Sequence, residues 1–250
     1  MYLPKVSIVT PCFNASEFIE ETIKSVQSQT YNNWELIIVD DNSSDNSTIL
    51  INNLKKTDNR IKLIELNNNV GPAKARNIAM ENAEGKYIAF LDSDDLWLPS
   101  KLERQIEIME KHDLILTFSN YRIIEENGEL TSKVIKVPEK INYAQLLGNT
   151  IIGCLTVVFN REKTGDVRMP EFRDCPEDSA LWLSILRSGS EAVGIQEELA
   201  LYRKTKGSLS RNKIKAARKT WNMYRKLEKL NVIKSSFCFL NYSYNAMKKL

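Results

Sequence analysis

The sequence is poor in the side chains used for histidine-based or redox chemistry. Its single histidine, His112, lies at the polar end of a helical pattern, which argues against a mechanism built on histidine. The four cysteines are scattered without paired spacing, which favours reduced thiols in a cytoplasmic protein over disulfides or a zinc site. No apolar run is long enough to cross a membrane, and strand-like sequence begins at Val6, so we expect no signal peptide.

Two common phosphate-binding motifs are also missing. No Gly-x-Gly-x-x-Gly follows the first strand pattern, where Pro11-Cys12-Phe13-Asn14 stands instead, and the chain contains no Walker A sequence. These absences argue against Rossmann-type dinucleotide binding and P-loop ATP hydrolysis. A nucleotide bound here would need another group to neutralise its phosphates.

Charge is distributed unevenly along the chain. Residues 203–250 contain 14 Lys and Arg but one acid, Glu228, for a formal charge of +13, while residues 1–202 carry −10. Such an asymmetry predicts an anionic partner for the basic end of the chain.

Alternating strand and helix patterns fill the first 112 residues and predict a doubly wound, mostly parallel α/β sheet with right-handed crossovers. The strands predicted in this half and just after it are 6–10, 34–39, 61–66, 87–91 and 114–119. Further along, a hairpin turning at 127–128 and short strands are expected at 121–137, 156–159, 192–195 and 199–202. Two tail helices are predicted at 213–230 and 235–249, with a basic amphipathic pattern on the first.

Three carboxylates, Asp92, Asp94 and Asp95, follow the apolar run 87–91 directly. Ligands of open α/β sheets bind at the carboxyl ends of the strands, where these acids would repel one another. Mg²⁺ or Mn²⁺, held by one or two carboxylates and by substrate phosphates, would relieve that repulsion. An Asp-rich turn that caps the following helix explains the same residues, and the cluster alone leaves both interpretations open.

Polar residues also follow the first two strands. Asn14 and Asp41 can accept hydrogen bonds from a base N–H or a ribose hydroxyl, although residues 42–45 also suit helix capping. Arg76 lies among apolar positions of a helix that begins at Pro72, where a charge needs a partner. That partner is either a diphosphate near the helix N-terminus or the Asp cluster.

Four segments together, 6–14, 38–45, 69–77 and 90–95, resemble the family 2 inverting glycosyltransferases with a GT-A fold. A weaker likeness continues through 176–178 and 201–203 to about residue 225. The tail pattern that starts at 207–213 resembles bacterial members that build surface polysaccharides.

The resemblance implies a role for each matching residue. Asp94 would bind Mn²⁺ or Mg²⁺, and Asp178 would be the catalytic base with Glu177 beside it. From spacing alone, the last two would only be an acidic first helical turn. The nucleotide-sugar contacts implied by the likeness are Pro11, Asn14, Asp41 and Asp92. Arg76 joins them as a cation for the diphosphate, and so does either Lys204 or Lys206. Many relatives carry a histidine where this chain has Thr205.

The sequence therefore predicts a metal-dependent inverting glycosyltransferase of bacterial surface-polysaccharide synthesis. The resemblance implies a nucleotide-sugar donor, with UDP as carrier, and a glycan or a polyprenyl-diphosphate-linked sugar as acceptor. The predicted domains are 1–210, with halves 1–120 and 121–210, and a basic tail, 211–250. We expect a cytoplasmic protein whose tail either packs on the catalytic body or binds an anionic membrane surface on the inner face of the plasma membrane.

Two rival functions lack supporting motifs. A sugar nucleotidyltransferase should carry a Gly-rich, Arg-containing loop after the first strand. A protein that binds nucleic acid through the tail should carry a groove-reading motif, so no nucleic-acid partner is expected.

Overall fold

The computed structural model describes residues 3–172, 174–205 and 213–248. Its first half is a parallel sheet with helical crossovers. The strands are β1 (Val6–Cys12), β2 (Trp34–Asp40), β3 (Ile61–Glu65) and β4 (Tyr87–Phe90), in the spatial order β3-β2-β1-β4. The helices between them are α1 (Ile19–Gln27), α2 (Ser47–Lys55) and α3 (Pro72–Glu81). The predicted α/β architecture is confirmed, and the carboxyl ends of β1, β2 and β4 meet at one edge.

The second half extends the same sheet with mixed strand directions. Its elements are β5 (Leu96–Trp97), α4 (Lys101–His112), β6 (Leu116–Glu125), β7 (Leu130–Ile135), β8 (Lys140–Asn142), α5 (Tyr143–Leu147), β9 (Val158–Asn160), α6 (Arg161–Thr164), α7 (Glu177–Leu186) and β10 (Glu191–Lys204). The order continues β4-β9-β6-β10-β5, in which β6 and β10 are parallel. The predicted hairpin is confirmed as β6 and β7. The prediction that a separate strand, 114–119, precedes it is wrong, because that segment and the first arm of the hairpin form the single strand β6.

The prediction of two separate late strands, 192–195 and 199–202, is wrong. They form the single strand β10, because register shifts between Ile195 and Ala200 absorb the intervening residues without ending its pairing with β6. Such bulges bend a strand and increase its local twist.

The basic tail also differs from the single long helix predicted over 213–230. Helix α8 (Lys213–Asn222) runs into a π-helical turn (Met223–Leu227), and a left-handed Lys229 then separates it from α9 (Val232–Lys248). Met223, Tyr224 and Leu230 join the apolar core beneath the sheet. Among the described helices, none combines the length and the apolar character that spanning a bilayer requires.

Apolar layers cover both faces of the sheet, as alternation along buried strands requires. In β4, Ile88 and Phe90 face the layer that contains α3 and α7, whereas Tyr87 and Ala89 face α1 and α4. Phe90 packs edge-on against Trp182 of α7, with ring centroids 5.3 Å apart. This packing places the start of α7 beside the end of β4.

Candidate active site

The loop after β2 is fastened to the start of α3. Asp41 is buried, and its two carboxylate oxygens accept hydrogen bonds from the backbone N–H groups of Val70 and Gly71, at 2.6 and 2.8 Å. Gly71 has φ of 91°, a conformation that suits glycine, and precedes Pro72 at the first helical position. The N-terminus of α3 therefore lies at the edge of the sheet, where it favours anions.

The loop after β1 is joined to the loop after β2 through Asn14. Its side-chain oxygen accepts a hydrogen bond from the Ser44 N–H at 2.8 Å, and its own N–H donates to Ser43 Oγ at 2.9 Å. Asn14 holds a left-handed conformation with φ of 48°, which asparagine tolerates better than most residues. Pro11, near the end of β1, is half-buried at the same edge. Both residues thus lie at the carboxyl edge of the parallel strands.

The three aspartates after β4 have different environments. Asp92 is partly exposed and pairs with Arg76, whose Nη2 lies 2.5 Å from Asp92 Oδ1. Burial and the neighbouring Asp92 raise the pKa of Asp94 to about 6. Asp95 is fully buried and accepts the backbone N–H of Arg203 at 2.8 Å. Asp95 therefore holds the loop in place, which leaves Asp92 and Asp94 as the acids available to a ligand.

Arg203 of β10 is buried and fastens this acidic loop to the sheet. The sequence alone did not identify Arg203 as a residue of the site. Its guanidinium donates to the carbonyl oxygens of Asp94 and Glu126, at 2.8 and 3.0 Å, and pairs with Glu21 at 2.6 Å. The feature of the sequence that could have identified Arg203 is a charged residue at the end of an apolar strand pattern. The backbone that carries Asp94 is therefore tied directly to β10.

Helix α7 brings a second acidic pair to the site. Arg76 Nη1 lies 3.4 Å from Glu177 Oε1, so this buried arginine connects the first turn of α7 to Asp92. Asp178 is half-buried and accepts the N–H of Ser179 at 2.6 Å. Burial and the charge of Glu177 raise the pKa of Asp178 to about 6. A carboxylate with that pKa is well matched to proton abstraction near neutral pH.

Two further residues shape this region without having been predicted. Asn77 exchanges hydrogen bonds with both backbone groups of Met169, at 2.8 and 2.9 Å, and so anchors the segment that leads to α7. The Cys154 thiol lies within electrostatic range of Arg76 and Asp178, and burial raises its pKa well above the usual range. At neutral pH this thiol is therefore protonated.

Four residues predicted from separate motifs thus meet in one site, namely Arg76, Asp92, Glu177 and Asp178. Lys204 is exposed at the end of β10. Lys206, considered as a cation for the diphosphate, lies outside the described residues, whereas Thr205 is the last one before the gap.

The donor set at this edge suits a hard divalent cation. The described ranges contain no group of three or more His, Cys, Asp or Glu side chains that could hold a metal ion by themselves. Mg²⁺ and Mn²⁺ accept one or two carboxylates when substrate phosphates and water complete the coordination. Asp94, half-buried beside Asp92 and with a raised pKa, is a carboxylate that a cation would stabilise in its ionised form.

Together, the sheet, its acidic loop and the facing acidic helix have the organisation of an α/β transferase with the GT-A fold. The sequence model of Glycosyl transferase family 2 matches residues 7–164, and the chain belongs to this family. The chain is 46% identical over 246 residues to TuaG of Bacillus subtilis, covering 98% of this chain and 97% of TuaG, whose name assigns it to teichuronic acid biosynthesis. It is 40% identical over 245 residues to WfgD of Escherichia coli, named a UDP-Glc:α-D-GlcNAc-diphosphoundecaprenol β-1,3-glucosyltransferase, covering 98% of this chain and 94% of WfgD.

Solved structures share the fold at low sequence identity. Staphylococcus aureus TarS 1–349 with UDP-GlcNAc matches with a TM-score of 0.76 and 18% identity, over 98% of this chain and 73% of that one. The mannosyltransferase PcManGT of Pyrobaculum calidifontis, with GDP-Man and Mn²⁺, matches with a TM-score of 0.73 and 18% identity, over 99% and 71%. The predicted family and fold are both confirmed.

Proposed function

We propose that this glycosyltransferase moves a hexose from a UDP-sugar to a polyprenyl-diphosphate-linked acceptor, with inversion, during bacterial surface-polysaccharide synthesis. The observation that carries the proposal is the link made by Arg76 between two acidic groups, Asp92 beside Asp94 and Glu177 beside Asp178. The name of WfgD describes the same kind of reaction. UDP-glucose carries an α-linked glucose, so the β-linked product in that name requires inversion in WfgD.

The donor would bind along the carboxyl edge of β1, β2 and β4. In this proposal Pro11, Asn14 and Asp41 line the base pocket and Asp92 meets the ribose. Support comes from the N-terminus of α3, which favours anions and which the hydrogen bonds from Val70 and Gly71 to Asp41 fix at this edge. Arg76 and Lys204 are assigned to the diphosphate; Arg76 would act mainly by fixing Asp92, with which it already pairs.

Asp94, with Asp92 beside it, would hold Mg²⁺ or Mn²⁺ together with the donor phosphates. Bound there, the cation would supply positive charge against the negative charge of the departing nucleoside diphosphate. The Mn²⁺ in the PcManGT structure supports this assignment, because that protein shares the fold. The protein's own contribution is the fixed loop, tied through Arg203 to β10.

Asp178 would take the proton from the attacking acceptor hydroxyl. An inverting transfer is a single in-line displacement, so one positioned carboxylate suffices and no covalent intermediate is needed. Glu177 would keep the pKa of Asp178 raised, as its charge does here, while its contact with Arg76 sets the orientation of the α7 start.

We further propose a cytoplasmic protein with peripheral contact at the inner face of the plasma membrane. The division into a catalytic domain, 1–210, and a basic tail, 211–250, belongs to this proposal. The lipid-linked acceptor and the +13 charge of residues 203–250 support it, since anionic lipids attract such a segment.

The test is a panel of nucleotide sugars with and without Mn²⁺, in which nucleoside diphosphate release is followed for wild type and Asp94→Ala. We expect metal-dependent release from one donor that the variant loses. Metal-dependent UDP binding is titrated in the same samples, because the acceptor limits turnover. If neither protein binds UDP, with or without metal, the proposal is wrong.

A further inference from the structure

Helix α9 is held on the catalytic body by one of its faces. Ser235 and Cys238 are buried, and Cys238 and Phe239 pack into the core beneath the sheet. Asn245 donates a hydrogen bond to the Gly148 carbonyl oxygen at 2.8 Å. The orientation of the helix is therefore fixed, and so is the identity of the face that points away.

The outer face of α9 is apolar. Ile233 is 83% exposed, Phe237 66%, Leu240 69% and Met247 64%. Their spacings of four, three and seven residues place these side chains on one side of a helix. We call these four residues the α9 stripe. Single exposed apolar residues are common on protein surfaces, whereas a contiguous exposed apolar patch marks an interaction site.

Helix α8 does not present a comparable surface. The apolar face predicted for residues 213–230 is turned inward, because Tyr224 is buried and donates a hydrogen bond to the Leu147 carbonyl oxygen. Trp221 is half-buried and packs edge-on against Phe239, with ring centroids 5.7 Å apart. Apart from Ile214, the exposed apolar surface of the described tail therefore belongs to α9 and to Val232 at its start.

The charges near the α9 stripe indicate which kind of partner it would bind. Glu228 is the one acid among residues 203–250, and its side chain is buried and paired with Arg187 at 2.8 Å. Lys229 and Lys234, beside the start of α9, are both exposed. An apolar stripe edged by cations, without an exposed acid in the tail, repels a second copy of itself and complements an anionic surface.

We propose that the α9 stripe inserts into the interface of an anionic lipid bilayer and holds the enzyme at the membrane. The helix would lie in the plane of the interface, with its buried face on the protein and the stripe among the acyl chains. The inference builds on the proposed membrane contact by naming the residues that make it. It is tested through lipid binding alone, so its outcome is independent of the sugar-transfer assay.

The experiment is flotation of the full chain with large unilamellar vesicles, either phosphatidylglycerol-rich or purely phosphatidylcholine. The stripe variant is Phe237→Gln/Leu240→Gln. The matched control is Ile49→Gln/Leu130→Gln, which makes the same change at two exposed apolar residues outside the tail. Circular dichroism and a cooperative thermal unfolding transition establish that each protein is folded.

We expect wild type and control to bind the anionic vesicles, to release them at high salt and to bind neutral vesicles weakly. The stripe variant should bind roughly 30-fold more weakly or worse, from the lost burial of two large side chains. Equal binding by the stripe variant and the control would overturn the proposal, as would failure of wild type to bind. A wild-type dimer in light scattering that becomes monomeric in the stripe variant would also overturn it, by assigning the stripe to a second copy.

Discussion

Lowering the pH from 7 to 5 should slow sugar transfer about tenfold, because Asp178, the proposed base, can accept a proton only when it is ionised. Burial and the charge of Glu177 raise its pKa to about 6. A group with this pKa is about nine-tenths ionised at pH 7 and about one-tenth ionised at pH 5. An ordinary aspartate, with a pKa near 3.9, would stay more than about nine-tenths ionised over the same range. The acid limb of the pH profile therefore separates a buried, charge-coupled base from an exposed one.

The assay measures kcat at saturating donor, acceptor and Mn²⁺, since kcat reports ionisation within the substrate complex. Saturation matters because Asp94 also has a pKa raised to about 6, and its protonation would weaken metal binding at subsaturating concentrations. Asp178→Asn should lower kcat by about 10²- to 10⁴-fold while UDP binding persists. Glu177→Gln removes the neighbouring charge, so the acid limb should move to lower pH.

Either of two results would refute this account of Asp178. A flat profile between pH 5 and 7 at saturating substrates would mean that no group with a pKa near 6 must be ionised. An Asp178→Asn enzyme within about threefold of wild type would mean that another group takes the proton.

Three further predictions concern stability. In the absence of metal and nucleotide, the melting temperature should rise as the pH is lowered from 7.5 to 5.5, because burial raises the pKa values of Asp94 and Asp178 and the folded state gains protons before the unfolded state does. The rise should be smaller in an Asp94→Asn/Asp178→Asn protein, and a rise of the same size would contradict this explanation. Arg203→Met should cost about 2–4 kcal/mol in urea unfolding, since the part-buried carbonyl oxygens of Asp94 and Glu126 and the exposed carboxylate of Glu21 lose their buried donor. A cost below about 1 kcal/mol would contradict this role of Arg203. Gly194→Ala should destabilise by more than about 2 kcal/mol in the same measurement, because a Cβ there would lie 1.9 Å from the Pro138 carbonyl oxygen, and a neutral effect would disprove that close approach.

Local patterns were sufficient to predict the parallel half of the fold. The buried strands β1, β2 and β4 are short, mainly apolar segments rich in Val and Ile, and Gly71-Pro72 marks the start of α3 by its backbone preferences. The acidic start of α7 was predictable for the same reason. Predictions that depend only on residues close in sequence succeed, because the conformational preferences of those residues act within a single helix, strand or turn.

The connections that assemble the site were not predictable, because they join distant parts of the chain. Arg203 and Asp95 are 108 residues apart in sequence, and Arg76 and Glu177 are 101 apart. Sequence reasoning identified Arg76 as a buried charge in need of a partner, but left a diphosphate and the Asp cluster as equal candidates. Only the packing of α7 against β4 decides that Asp92 and Glu177 lie within its reach.

The central claim, sugar transfer from a nucleotide donor to a lipid-diphosphate acceptor, is tested most directly with radiolabelled UDP-glucose and other UDP-hexoses, Mn²⁺ and a GlcNAc-diphosphate lipid. The account predicts label in the lipid from one donor, a β-linked product by NMR, and no transfer with Asp178→Asn although that variant binds UDP. A product that retains the α configuration would contradict the single-displacement mechanism. Absence of both lipid labelling and metal-dependent UDP binding in the wild-type protein would contradict the claim itself.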